Sequence, residues 1–142
     1  METAFWDSSS AVPLCVQQPA SPVVLRLSAL YRMTVWWAAP VEMRSAFARL
    51  VRMGQLTKAE QEAAHAKLAV LRDTWKAIQP SEQPREEAEA FVGRFPLKAA
   101  DALQLAAAMA WCRGRPGGRV FISGDSQLLE AARQLGFQAI ET

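Results

Sequence analysis

Histidine occurs once in this sequence, at His65, and cysteine twice, at Cys15 and Cys112. Cysteines so far apart fit no metal-knuckle or redox spacing, and both are expected to pack, reduced, as small hydrophobic residues. Those counts argue against a zinc site and against a disulfide scaffold. No apolar run approaches the roughly 20 residues needed to cross a bilayer. The N-terminus has no basic run leading into an apolar stretch, so no signal peptide and a cytoplasmic location are expected. There is no repeat and no low-complexity tract, and residues 1–142 are expected to form a single domain with an adequate core. Neither sign of charge dominates. A net charge of +2 permits a nucleic-acid partner without arguing for one. Aspartate is also scarce, with only Asp7, Asp73, Asp101 and Asp125.

What is abundant is hydrophobic patterning, at 51% of residues. Thr3–Trp6 reads as a short strand, followed by a broken helical segment limited by Pro13. Residues 22–32, opened by proline, have helical apolar spacing. Val35, Trp36 and Trp37 are consecutive and bulky, which suits a strand covered on both faces of a parallel sheet. Pro40 opens a helix to about Met53, ended by Gly54. Thr57 and Glu60 have capping-box spacing, and Ala64, Leu68, Leu71, Trp75 and Ile78 continue as one apolar stripe, predicting a protruding α-hairpin. After a break at 79–84 comes an acidic helix with Phe91, Val92 and Phe95 inside. A Leu/Ala-rich helix follows Pro96. The loop "RGRPGGR" then leads to a strand at "VFIS", an amphipathic helix and a last strand at "FQAI". Strands alternating with helices predict an α/β three-layer sandwich, with a mainly parallel central sheet flanked by helices.

Four acids stand where this pattern makes geometry informative. Asp7 and Asp125 each follow a strand, where open parallel sheets place their ligand-binding crevice. Glu42 lies just inside the helix after the "VWW" strand. Asp101 lies among Leu97, Ala100, Leu103, Leu105 and Ala107, where a lone carboxylate is costly unless paired or metal-bound. Each has an ordinary explanation as well. Asp7 and Asp125 suit helix N-caps, Glu42 suits the positive end of a helix dipole, and Lys98 stands one turn before Asp101 as a partner. Together, however, four carboxylates on one sheet edge repel one another unless a cation neutralises them. An all-oxygen donor set points to Mg²⁺ or Mn²⁺.

At these residues the chain resembles PIN-domain nucleases, specifically VapC-like toxins of type II toxin–antitoxin systems, over nearly its whole length. "FWDSSSAVPL" resembles the family's first motif, with Asp7 as its acid and Ser8 and Ser9 as hydroxyl neighbours. "APVEMRSAFARL" resembles the second, with Glu42, and "LKAADALQLAAA" the third, with Asp101. "VFISGDSQLLEAARQLGFQAI" resembles the fourth, with Ser123 and Asp125. Many relatives carry His where this chain has Gln104. The resemblance implies a PIN-like fold and a metal-dependent endoribonuclease with Asp7, Glu42, Asp101 and Asp125 as catalytic metal ligands. Ser8 and Ser123 would support them. The implied chemistry is hydrolysis of an RNA phosphodiester, with Mg²⁺ or Mn²⁺ activating water and stabilising charge on the phosphate. It also implies a cognate antitoxin and a homodimer, with no membrane involved.

Arginines suit phosphate because the guanidinium fork donates two hydrogen bonds. Arg44 and Arg49 follow Glu42 on its helix, and Arg115 lies in the glycine loop, so these three are the candidate RNA contacts. Two rival classes share parts of the pattern. A non-catalytic PIN-like module would use the acidic pocket only to dock a basic partner peptide. A phosphoryl-transfer receiver would need a lysine on a late strand, and "RVFISGD" has none.

Overall fold

The structure, a computed structural model, describes residues 1–142. Its chain order is β1 (Glu2–Trp6), α1 (Ser8–Ala11), a 3₁₀ turn (Val12–Leu14), α2 (Ser21–Leu30), β2 (Tyr31–Trp36), α3 (Ala39–Arg52) and α4 (Lys58–Arg72). There follow β3 (Lys76–Ile78), α5 (Glu82–Arg94), α6 (Ala99–Trp111), β4 (Val120–Ser123), α7 (Ser126–Leu135) and β5 (Gln138–Glu141). The five strands form one sheet in the order β3-β2-β1-β4-β5, and every pair is parallel.

Strand side chains alternate between two buried faces. Ala4 and Trp6 of β1 join Met33, Val35, Val120 and Ile122 beneath α1–α4, where Val24, Met43, Phe47, Ala64 and Leu68 close one core. Phe5, Trp36 and Phe121 point the other way into a second core with α5, α6 and α7, including Phe91, Leu105, Leu128 and Leu129. Sheets buried on both faces need near-continuous apolar strands, and "AFW" and "VFI" meet that need, with "TVW" interrupted only by the buried Thr34. The result is the three-layer sandwich expected from the sequence. No helix is long and apolar enough to cross a membrane.

Several local expectations differ from the structure. β2 begins earlier, at Tyr31, and ends at Trp36. Trp37 lies beyond the sheet and is 53% exposed. The stripe assigned to one long helix is shared. α4 stops at Arg72, where Thr74 turns back to bond the Leu71 carbonyl, and residues 76–78 pair with β2 as a short edge strand. In the α-hairpin, Met43, Phe47, Ala64 and Leu68 are core, and the connecting residues 52–55 are exposed. Val92 is exposed rather than inside. The capping box forms as expected, with the Thr57 hydroxyl accepting from the Glu60 N–H and the Glu60 carboxylate accepting from the Thr57 N–H.

The chain runs outward from β1 through β2 to β3, then returns to the other side of β1 with β4 and β5. The winding therefore reverses between β1 and β4. At such a point the helices diverge to opposite faces and leave a crevice beyond the carboxyl ends of the strands.

Candidate active site

Four separate segments deliver side chains to that crevice. β1 ends into Asp7, Ser8 and Ser9. The face of α3 marked by Glu42, Ser45, Ala46 and Arg49 contributes the second wall. α6 adds Asp101, and the end of β4 adds Asp125. The spacing of the α3 residues, three, four and seven after Glu42, is that of one helical face. The cleft they line measures about 180 Å³.

Asp7 is the most buried of the acids, at 5% exposure. It stands at the N-cap of α1, yet its side chain makes no capping bond. Its Oδ2 instead accepts from the Ser9 hydroxyl and, at 2.8 Å, from Ser123 Oγ. The Ser123 hydroxyl oxygen in turn accepts the Asp125 N–H at 2.9 Å, tying the ends of β1 and β4 together. Burial pushes the Asp7 carboxyl up to about 6, against the two hydroxyls and with added repulsion from Asp101 and Glu42.

Glu42 lies in the first turn of α3, but its side chain turns into the cleft. Its Oε1 accepts from Ser8 Oγ at 2.9 Å and from Gln104 Nε2 at 2.7 Å. Burial raises its pKa, Ser8 and Gln104 oppose the rise, and Asp101 adds to it. Asp101 is half-buried, and its pKa is raised first by burial and then by Asp125, with Lys98 pulling the other way. No Lys98–Asp101 ion pair forms within 4.0 Å; the salt bridges of the molecule join Arg85 to Glu82 and Glu89, and Arg133 to Glu130. Asp101 is thus the electrostatic hub of the site.

Asp125 is a helix cap. Its Oδ1 accepts from the Gln127 and Leu128 N–H groups at 2.9 and 3.0 Å. Asp7, Glu42 and Asp125 therefore share one arrangement: one carboxylate oxygen is anchored by two donors, and the other has no hydrogen bond. Capping makes a clear prediction. Asp125→Ala should lower stability by about 1 kcal/mol in urea unfolding, whereas Asp125→Asn, which caps as well, should lower it by only a few tenths. Equal losses in the two variants would show that the cap contributes nothing.

These residues suit a hard divalent cation in donor type and charge. Every donor is oxygen, none of the four acids has a cationic side chain within 4.0 Å, and a buried carboxylate stands without a counter-ion. Their carboxylates line one cleft but stand apart, since no three His, Cys, Asp or Glu side chains form a ligating cluster.

Among the arginines, Arg49 lines the cleft and Arg44 and Arg115 do not. Arg44, two residues after Glu42, points to the opposite side of α3 and is exposed. Arg115 precedes β4, which puts it at the amino-terminal edge of the sheet, away from the crevice. Gln104 and Ser45 belong to the site as well, although sequence reasoning does not mark them for it. Gln104 is 1% exposed, and its signals in the sequence are a polar residue amid Leu and Ala on α6 and its place in the third motif, where many relatives carry His.

No protein-family model matches the sequence, and no curated protein matches it. Solved structures do share its fold. A toxin–antitoxin complex from Klebsiella pneumoniae is 14% identical with a TM-score of 0.61, covering 88% of each chain. VapBC2 from Rickettsia felis, bound to a DNA fragment from its promoter, is 10% identical with a TM-score of 0.66, covering 96% of this chain and 98% of that one. FitAcB from Neisseria gonorrhoeae is 16% identical with a TM-score of 0.65, covering 98% and 97%. At these identities the likeness is one of fold, and the fold is PIN-like: a five-stranded parallel sheet flanked by helices.

Proposed function

We propose that the protein is a Mg²⁺- or Mn²⁺-dependent endoribonuclease, the toxin of a toxin–antitoxin pair. The observation that carries this is the gathering of Asp7, Glu42, Asp101 and Asp125, from four chain segments, on one cleft at the switch point of the sheet. Asp7 and Glu42 would hold the ion through their free oxygens, with Asp101 and Asp125 lining the same cleft. Bound there, the ion supplies Lewis acidity toward water and phosphate. Ser9 and Ser123 fix Asp7, and Ser8 fixes Glu42, so neither carboxylate has to reorient when substrate arrives. Arg49, the one cation on the cleft wall, is placed to pair with an RNA phosphate.

The proposed partner follows from the structural neighbours, among them a toxin–antitoxin complex and VapBC2. An antitoxin segment has a surface to cover. An apolar groove of about 410 Å³ runs between the 3₁₀ turn and α4, lined by Leu14, Cys15, Ala66, Val70 and Leu71. A homodimer in the cytoplasm completes the proposal.

Purified protein incubated with an RNA pool should cleave it with Mg²⁺ and not with EDTA. Cleavage unaffected by chelation would sink the metal-dependent mechanism, and none under either condition would favour a module that only docks a basic peptide. Arg49→Ala should raise KM for RNA about tenfold, the worth of one charged hydrogen bond. It should also lower the salt dependence of binding by about one counter-ion. Arg44→Ala and Arg115→Ala, which face elsewhere, should change neither.

A further inference from the structure

Two buried side chains, Gln104 and Ser8, and the half-buried Glu42 meet where the two helical layers come together over the end of β1. Gln104 reaches from α6, on one face of the sheet, to Ser8 after β1 and to Glu42 on α3, on the other face. Its Nε2 donates to Ser8 Oγ at 2.8 Å and to Glu42 Oε1 at 2.7 Å. Ser8 Oγ donates to that same Oε1 at 2.9 Å, closing a triangle. Both amide protons of Gln104 are thereby used. Its Oε1 is different: it is buried and has no hydrogen-bond partner.

That orphan oxygen tells against a packing role. A buried acceptor left unpaired lowers stability, and a Leu or Met would fill the position without one. Turning the amide over would set Gln104 Oε1 against the carboxylate oxygen, acceptor against acceptor. The amide is therefore held donor-first by the Glu42 carboxylate. In return Glu42 loses its freedom, because two donors grip one oxygen and leave Oε2 unbonded on a side chain that lines the cleft.

We propose that Gln104 is a positioning residue for Glu42, holding its carboxylate in the one orientation that offers Oε2 to a divalent cation. This rests on the metal-site function proposed above. A geometry fixed from behind by a hydrogen-bond donor makes a ligand ready before the ion arrives, and such outer partners typically govern affinity by 10–100-fold. Gln104 itself does not touch the ion.

Calorimetric titration of Mn²⁺ into the purified full chain tests this. Gln104→Met keeps the volume and removes both donors. Gln104→Asn keeps the amide but withdraws it by one methylene. Both should bind Mn²⁺ about 10–100-fold more weakly than wild type. Each substitution is then repeated on a Glu42→Gln background, where it should change affinity by less than about twofold, because the group it positions is gone. A residue that merely supports the fold would weaken binding by the same factor on both backgrounds, and that result overturns the proposal. So does wild-type affinity in Gln104→Met. If Gln104→Met fails to fold, the same comparison with Gln104→Asn decides. Absence of Mn²⁺ binding by wild type overturns the metal site itself, an outcome separate from any difference among the variants.

Discussion

Asp7→Asn is expected to lower metal-dependent RNA cleavage by about 10³-fold or more while making the metal-free protein more stable at pH 8. The catalytic loss follows from removing a charged ligand from a site whose ion is worth several kcal/mol of transition-state stabilisation. The gain in stability follows from burial. Asp7 is almost wholly enclosed, has no cationic partner, and its carboxyl titrates at about 6 in the folded protein against 3.8 ordinarily. Between those values the folded state binds more protons than the unfolded chain, so stability falls as pH rises. Above about pH 7 the full penalty is present, of the order of 3 kcal/mol at about 1.4 kcal/mol per pH unit.

Asparagine fits the site without rearrangement. Both serine hydroxyls bond to Oδ2, so a carbonyl oxygen in that place keeps them and leaves the amide nitrogen toward the cleft. Urea unfolding in EDTA from pH 4 to pH 8 should show wild type losing stability across the window and Asp7→Asn losing clearly less, the remainder coming from Glu42 and Asp101, whose pKa values are also raised. If the variant is weaker than wild type by the same amount at pH 5 and pH 8, the buried charge carries no penalty.

The sequence makes the sheet legible where burial on two faces leaves consecutive apolar residues. "AFW" and "VFIS" stand out for that reason, and the acids after them follow from the parallel order. β3 is hidden for the opposite reason. It is three residues long, lies at the sheet edge and is only half-buried, and Trp75 and Ile78 happen to continue the helical spacing of Ala64, Leu68 and Leu71. Periodicity cannot register a helix that ends while its stripe goes on. Trp37 misleads because bulk alone does not say where a strand stops. At the site, the sequence offers capping and ligation equally for Asp7 and Asp125. Geometry separates them: Asp125 caps and Asp7 does not. The role of Gln104 is out of reach of the sequence because its partners lie 62 and 96 residues away, and only the meeting of both helical layers reveals them.

Mn²⁺ should raise the melting temperature of wild type by about 5–10 °C at pH 7.5 when supplied at roughly a hundred times its Kd. Binding only the folded state at that excess contributes about 2.7 kcal/mol, and a chain of this length shifts by about 2–4 °C for each kcal/mol. The increment is expected because the ion relieves what the metal-free fold bears: Asp7, Glu42 and Asp101 all have raised pKa values, and each is repelled by another acid of the cleft. Those same shifts fix the pH dependence. A ligating carboxylate must lose its proton, so binding releases protons and weakens as pH falls. With Asp7 titrating at about 6, lowering the pH to 5 should weaken apparent affinity roughly tenfold from that residue alone, and Glu42 and Asp101 act in the same direction. Differential scanning fluorimetry across Mn²⁺ concentrations at pH 5 and pH 7.5 checks both claims. Asp7→Asn should show little increment at either pH. An equal increment in wild type and Asp7→Asn would place the ion elsewhere on the molecule and remove Asp7 from the ligand set.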